Sequence, residues 1–340
     1  MLHTFTMKSV LPILAFAALL YPSPAPANDA FFSADGKTVT FLPRFKTGII
    51  WRLDVEAGKL QAVPLPRDLK GAAPAGLARG GEGETLLTAG NGAWVLKEDG
   101  TAKRLCDLGP AKDPATLFTA TTAGSPVADW LFVSASDSSD SGRQIFYARK
   151  PGTKAFQQVF CRRVGNVRAG AFTGDGRLFF AADGDLWEGS IYPEDNDPTL
   201  PVATLIGARM APVGTLNTDS ANGGGMYTDT LAPAGKWIYV GLRGHHMGCV
   251  LRVPIAEKAL YSDAEGEFPE PRAHLQAMSA TLAKTEILTE NAGSMDAFAA
   301  CGVEGKPMVF YRGDSDEDGL PLWLWTEGAK PRRLALEPQE

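Results

Sequence analysis

The sequence predicts an all-β chain, a six-bladed β-propeller of antiparallel blades with one short inserted helix. Three observations predict it. A pattern recurs six times, running from an aromatic residue or Leu through a short Gly-containing turn into an apolar run, a second turn and a second short aromatic-rich run. Its starts, at Phe32, Leu77, Phe118, Phe172, Leu231 and Phe298, stand 45, 41, 54, 59 and 67 residues apart, at or above the length of a propeller blade. Asp-Gly and Asn-Gly pairs punctuate the apolar runs, and such pairs favour hairpins. Each repeat is a small sheet that cannot bury its faces alone, so the copies must stack on one another.

The N-terminus reads as an export signal. Lys8 precedes the apolar run from Val10 to Leu20, and Ala25-Pro26-Ala27 offers small residues for cleavage, which sets residues 1–27 apart from a single domain over 28–340. Met7 places the lysine directly after an initiator, and Met1 is the other possible start. The expected location is the periplasm or the medium, with no membrane span in the mature chain, because the run is too short to cross a bilayer comfortably. Removing the segment leaves 313 of 340 residues and takes away one lysine, moving the formal charge from −6 to −7. A mildly acidic chain with both signs interspersed gives no support for nucleic-acid binding, which needs clustered Lys and Arg.

The blades follow in order, near 30–66, 76–110, 117–163, 168–207, 226–290 and 294–337. The first has strands at Lys37 to Phe41, Ile49 to Val55 and from Lys59, with Ala57-Gly58 between the last two. In the second, Glu84 to Thr88 and Ala93 to Lys97 flank Asn91-Gly92, and Asp99-Gly100 leads to Lys103 to Cys106. The third uses Trp130 to Val133, Gln144 to Ala148 and Phe156 to Phe160; the fourth uses Arg177 to Ala181, Asp185 to Gly189 and Val202 to Ile206. Lys236 to Leu242 and Cys249 to Val253 build the fifth, and Pro307 to Tyr311, Leu322 to Thr326 and Arg332 to Leu336 the sixth. Pro271 to Leu282 carries Leu275, Met278 and Leu282 at helical spacing, so a short amphipathic helix inserted in the fifth blade is expected to lid one face. Met210 to Gly225, rich in Pro, Asn, Asp and Gly, reads as a long loop. Trp51, Trp94, Trp187, Trp323 and Trp325 fall in third-strand runs, where large rings fill the wedge between sheets.

The turn Ser33-Ala34-Asp35-Gly36-Lys37, followed by an apolar strand and then Ile50-Trp51-Arg52-Leu53-Asp54, resembles the WD-repeat-like blade of TolB-type β-propellers. The first and fourth blades match well, whereas Leu77-Ala78-Arg79-Gly80 and Phe298-Ala299-Ala300-Cys301 depart from the Asp-Gly turn. The resemblance implies an extracytoplasmic propeller, and since that class includes both docking modules and enzymes it implies no single activity.

Arg44, Arg243 and Arg312 each follow the second-strand run of blades one, five and six, which become neighbours once the ring closes. Three guanidiniums on one arc could hold a carboxylate or phosphate; the same residues could instead bind backbone carbonyls or a neighbouring blade. Asp137, Asp140 and Asp183 occupy the corresponding loops elsewhere, and His245-His246 adds a ligand or acid–base candidate in the fifth. Asp314, Asp316 and Asp318, with Gly319, match the first half of a calcium loop, but Leu322 and Trp325 stand where the second half needs acids, so any calcium site is weak. No other cofactor is expected. Cys106, Cys161, Cys249 and Cys301 allow three disulfide pairings in an oxidising compartment, or four buried thiols. No GxSxG, HExxH, P-loop or dinucleotide fingerprint is present. The primary expectation is therefore non-catalytic binding of a protein or polysaccharide partner; the alternative is a hydrolase or lyase acting on a glycan or other anionic polymer at the propeller mouth.

Overall fold

Short strands in up-and-down order dominate the chain. The computed structural model describes residues 30–42, 48–69, 74–80, 84–90, 92–107, 112–119, 127, 130–136, 144–153, 155–162, 164, 167–173, 175–194, 202–213, 227–243, 248–258, 271–289, 297–303, 306–313 and 321–334. The first sheet holds β1 (Ala30–Phe32), β2 (Thr38–Phe41), β3 (Ile49–Asp54) and β4 (Leu60–Pro64), paired antiparallel in that order. The second holds β5 (Pro74–Arg79), β6 (Glu84–Ala89), β7 (Gly92–Lys97) and β8 (Ala102–Asp107). Two further meanders follow, β9 (Lys112–Thr119), β10 (Leu131–Ser136), β11 (Gln144–Arg149) and β12 (Gln157–Arg162), then β13 (Val167–Phe172), β14 (Leu178–Ala182), β15 (Asp185–Pro193) and β16 (Ala203–Ala211). The last two sheets are β17 (Tyr227–Ala234), β18 (Trp237–Arg243), β19 (Gly248–Pro254) and β20 (Glu286–Thr289), and β21 (Ala297–Val303), β22 (Lys306–Arg312), β23 (Leu322–Thr326) and β24 (Arg332–Arg333). Helix α1 (Pro271–Ala283) lies between β19 and β20.

The sheet count differs from six separate blades. Four sheets are four-stranded, and the third and fourth meanders form one eight-stranded sheet. They join where β16 pairs in parallel with β12, from Val159 opposite Ala203 to Arg162 opposite Ile206. An outer strand leaves one row of amides and carbonyls unpaired, and pairing two outer edges satisfies both. Each meander also has an innermost strand ahead of the runs predicted from sequence, three in every blade but the fifth, where two were predicted, and the recurring residues Phe32, Leu77, Phe118, Phe172, Leu231 and Phe298 lie on these strands.

The innermost strands meet in cyclic order: β1 touches β5, β5 touches β9, β9 touches β13, β13 touches β17, β17 touches β21, and β21 returns to β1. This is a propeller-like arrangement. The last sheet closes on the first by packing, with no strand shared between the two sheets. Phe41 and Phe310 meet there with ring centroids 5.2 Å apart, within a cluster that includes Val39, Leu53, Leu322 and Leu324. Similar clusters fill the other wedges, so both faces of each sheet are apolar and a fully buried Phe or Leu contributes roughly 1.5–3 kcal/mol. Of the five tryptophans assigned to third-strand runs, Trp51 and Trp325 are buried, while Trp94, Trp187 and Trp323 are half-buried at wedge edges.

The helix begins at Pro271 as predicted, yet among the described residues it covers no propeller face. It rests against β16 and β19, with His274, Ala277, Met278, Thr281 and Leu282 partly covered, while Leu275, expected inward, is 62 % exposed. The His274 Nε2 lies 2.5 Å from the Arg209 carbonyl oxygen, which fixes the helix rotation one residue away from the apolar count. Met210 and Ala211 belong to β16 and not to a loop; positions 214–226 lie outside the described residues, as does the expected export segment. Among the described residues no helix is long and apolar enough to cross a membrane.

Candidate functional site

Two ends of the ring can be told apart by what meets there. At one end, which we term the loop end, the second strand of each sheet passes to the third. Leu42 follows β2 and Arg312 ends β22, and the Arg312 Nη1 donates to the Leu42 carbonyl at 2.8 Å. The loops after β2 and β22 therefore start side by side. At the other end, the turn end, lie the hairpins β1–β2 and β5–β6, whose residues line one common cleft.

Of the sequence candidates, Arg312, Arg243 and Asp183 are among the described residues, and these three fall at the loop end. Arg312 is 3 % exposed, and its bond to Leu42 ties the last sheet to the first, the carbonyl-binding role open to an arginine at this place. Arg243 ends β18, opposite Tyr227 and Gly248, with only its backbone described. Arg44, His245, His246, Asp314, Asp316 and Asp318 lie outside the described residues, as do Asp137 and Asp140. Asp183 sits exposed in the two-residue turn between β14 and β15, at φ 49°. No group of three His, Cys, Asp or Glu side chains that could hold a metal occurs among the described residues.

Cys161 and Cys301 are not poised for chemistry. Cys161, Cys249 and Cys301 are not joined in disulfides; Cys106 lies near the end of β8, with only its backbone described. Burial pushes the Cys161 thiol up to about 12, and burial together with the Asp35 charge does the same to Cys301, again to about 12. A thiol so placed is a poor nucleophile at neutral pH.

At the turn end a cleft of about 520 Å³ opens between the first and second sheets. Thr40 and Arg52 face it from β2 and β3, and Arg79 and Thr85 face it from β5 and β6. Behind it the same wedge is apolar, filled by Leu42, Ile50, Leu77 and Leu87. Sequence reasoning passed over this site, although one signal was present: Arg52 interrupts a strand whose neighbours Ile50, Trp51 and Leu53 are all core residues.

Other wedges carry a charge at the matching register and close it internally. In the fourth meander Glu188, opposite Phe179, accepts from Arg177 Nε at 2.7 Å and forms an ion pair with it, Nη2 lying 2.6 Å from the same carboxylate oxygen, and Arg177 Nη1 donates to the Ala256 carbonyl beyond β19 at 2.6 Å. In the fifth, Arg252, opposite Tyr239, donates to Glu286 at 2.7 Å and to Glu327 of the last sheet at 3.0 Å, and lies 4.3 Å over the Trp237 ring. Burial works against the Arg252 charge, but the two carboxylates outweigh it and hold its pKa above the ordinary arginine value. Burial likewise raises the pKa of the neighbouring Tyr239.

No family model matches the chain, and no curated protein does. Solved structures do. Regucalcin from Agrobacterium tumefaciens, described as a calcium-binding protein, is 14 % identical with a TM-score of 0.52, covering 93 % of this chain and 95 % of its own. A luciferin-regenerating enzyme is 9 % identical at TM-score 0.54, covering 94 % and 98 %. A gluconolactonase from Xanthomonas campestris is 13 % identical at 0.52, covering 90 % and 87 %. These likenesses support a β-propeller fold; they do not single out the TolB-type or WD-repeat family that the turn sequences resemble.

Proposed function

We propose that this chain is an exported six-bladed propeller, its eight-stranded sheet counting as two blades, and that its loop end hydrolyses a sugar-derived ester, a lactone being the simplest case. Support for hydrolysis over docking comes from the neighbours: one is named a gluconolactonase and another a regenerating enzyme, and each is matched along nearly its whole length. A propeller enzyme of that size must build its site on the ring itself.

Lactone hydrolysis adds water to the carbonyl carbon and breaks the ring C–O bond, releasing a hydroxy acid. The chemistry needs a cation near the carbonyl oxygen and a base for the water. Arg44 and Arg243 are the cations left for that role once Arg312 is committed to Leu42, and His245 or His246 is the base. Asp314, Asp316 and Asp318, between β22 and β23, place carboxylates at alternating positions, the hard oxygen donors calcium takes. A bound ion would add positive charge beside the arginines.

The test is proton release from glucono-δ-lactone by the purified mature chain, with calcium and with chelator, beside the Arg243→Ala and His245→Ala/His246→Ala variants. Turnover above the spontaneous rate, reduced about 100-fold or more in the variants, is expected. A rate equal to the spontaneous one would sink the hydrolase reading and favour a docking module for a protein or polysaccharide partner.

A further inference from the structure

We infer that the turn-end cleft between the first and second sheets is a second binding site, built for a small hydroxylated carboxylate such as a sugar acid. The comparison among wedges carries this. Three sheets place a charged residue at one register of the third strand: Arg52 opposite Thr40, Glu188 opposite Phe179 and Arg252 opposite Tyr239. Glu188 and Arg252 are each matched by counter-charge, and each cluster reaches across to the next sheet. Arg52 is treated differently. It is half-buried, makes no ion pair or side-chain hydrogen bond with the described residues, and shares its cleft with a second guanidinium, Arg79, which makes none either. Glu84 and Glu98 line the same cleft but pair with neither arginine, so two guanidiniums remain open to an anion placed between them. A planar guanidinium suits a carboxylate in particular, because it can donate two parallel bonds.

The remaining walls narrow the ligand further. Thr40 and Thr85 are 4 % and 6 % exposed, so these two hydroxyl-bearing residues line the cleft at depth and not at its rim. Phe31 supplies an apolar surface against which the carbon face of a sugar ring can lie. Glu84, half-buried, and Glu98, exposed, complete the lining. Their carboxylates accept from ligand hydroxyls and repel a dianion such as phosphate, which favours a single carboxylate on a polyol. The volume of about 520 Å³ falls in the range of small-molecule sites, about 300–1,000 Å³. Because β2 starts beside this cleft and ends beside Arg312, the site lies at the opposite end from the proposed catalytic loops and does not depend on that reading.

Isothermal titration of the full mature chain at low salt tests it, with D-galacturonate and D-gluconate as probes and D-glucose and inorganic phosphate as counter-probes. The acids are expected to bind in preference to both counter-probes. Arg52→Gln and Arg79→Gln should each weaken the acids about 10- to 100-fold, the loss of one charge-assisted bond. Arg79 is exposed, so its variant reads out even if Arg52→Gln folds poorly. Binding should survive the His245→Ala/His246→Ala substitution, which separates this site from the loop end. Absence of heat with both acids, equal binding of glucose or phosphate, or unchanged affinity in both arginine variants would each overturn the proposal.

Discussion

Asp35 shows how one side chain shapes a hairpin. Its Oδ1 accepts from the Ser33 hydroxyl at 2.7 Å and from the Lys37 amide at 3.1 Å, while Gly36 takes φ 71° to complete the turn. The Ser33 hydroxyl, foremost, and the Lys37 amide hold the Asp35 carboxyl below the usual carboxylate range. Asp99 repeats the device with Thr101. A carboxyl whose folded pKa is depressed contributes stability above its unfolded value, about 3.9, and loses it as pH falls through the folded value. Asp35→Ala should therefore lower the urea midpoint at pH 7, and the gap from wild type should close as pH drops below about 4. A gap that stays constant from pH 7 to pH 2 would show that the carboxylate charge is irrelevant to the turn. This residue was legible in the sequence because its partners lie within two positions; Arg52 and Arg79 were not, because 27 residues separate them and only sheet packing brings them to one cleft.

Strand pairing decides more than strand propensity does. Gly189 and Gly207 sit opposite each other in β15 and β16, beneath the Phe180 ring. A Cβ at Gly189 would lie 2.2 Å from the Ile206 carbonyl oxygen, and one at Gly207 would lie 2.6 Å from Phe180 Cζ. Neither strand can yield without opening the ladder that also holds β16 against β12. Gly189→Ala should destabilise by about 1–3 kcal/mol, measured by denaturant unfolding, and a neutral result would mean that β15 and β16 are not held this close. At this scale the middle strands were predictable from their alternating apolar runs and Asp-Gly turns. The innermost strands were not, since segments such as Val167–Phe172 and Ala297–Val303 are short, rich in Ala and Gly, and lack a two-residue period. β20 escaped notice because thirteen helical residues separate the fourth strand of its sheet from the third.

Closure of the ring is a property of the whole chain, and Arg312 reports on it. Its Nη1 bond to Leu42 joins positions 270 residues apart, beside the Phe41–Phe310 contact. Arg312→Met keeps most of the volume but leaves a buried carbonyl without its donor, so a loss of about 1–3 kcal/mol is expected in chemical unfolding. A variant as stable as wild type would mean that apolar packing alone closes the ring. The sequence by itself determined the repeat, the strands on either side of each Gly turn, the helix and its place in the fifth unit, because all of these are set by neighbours a few residues apart. Only the tertiary structure decided that Arg312 is a tie between sheets, that the third and fourth meanders fuse through β12 and β16, and that Arg52 faces Arg79 across an open cleft. Those outcomes depend on which surfaces meet once the ring forms, and no local pattern of residues encodes a contact whose partners are brought together by closure.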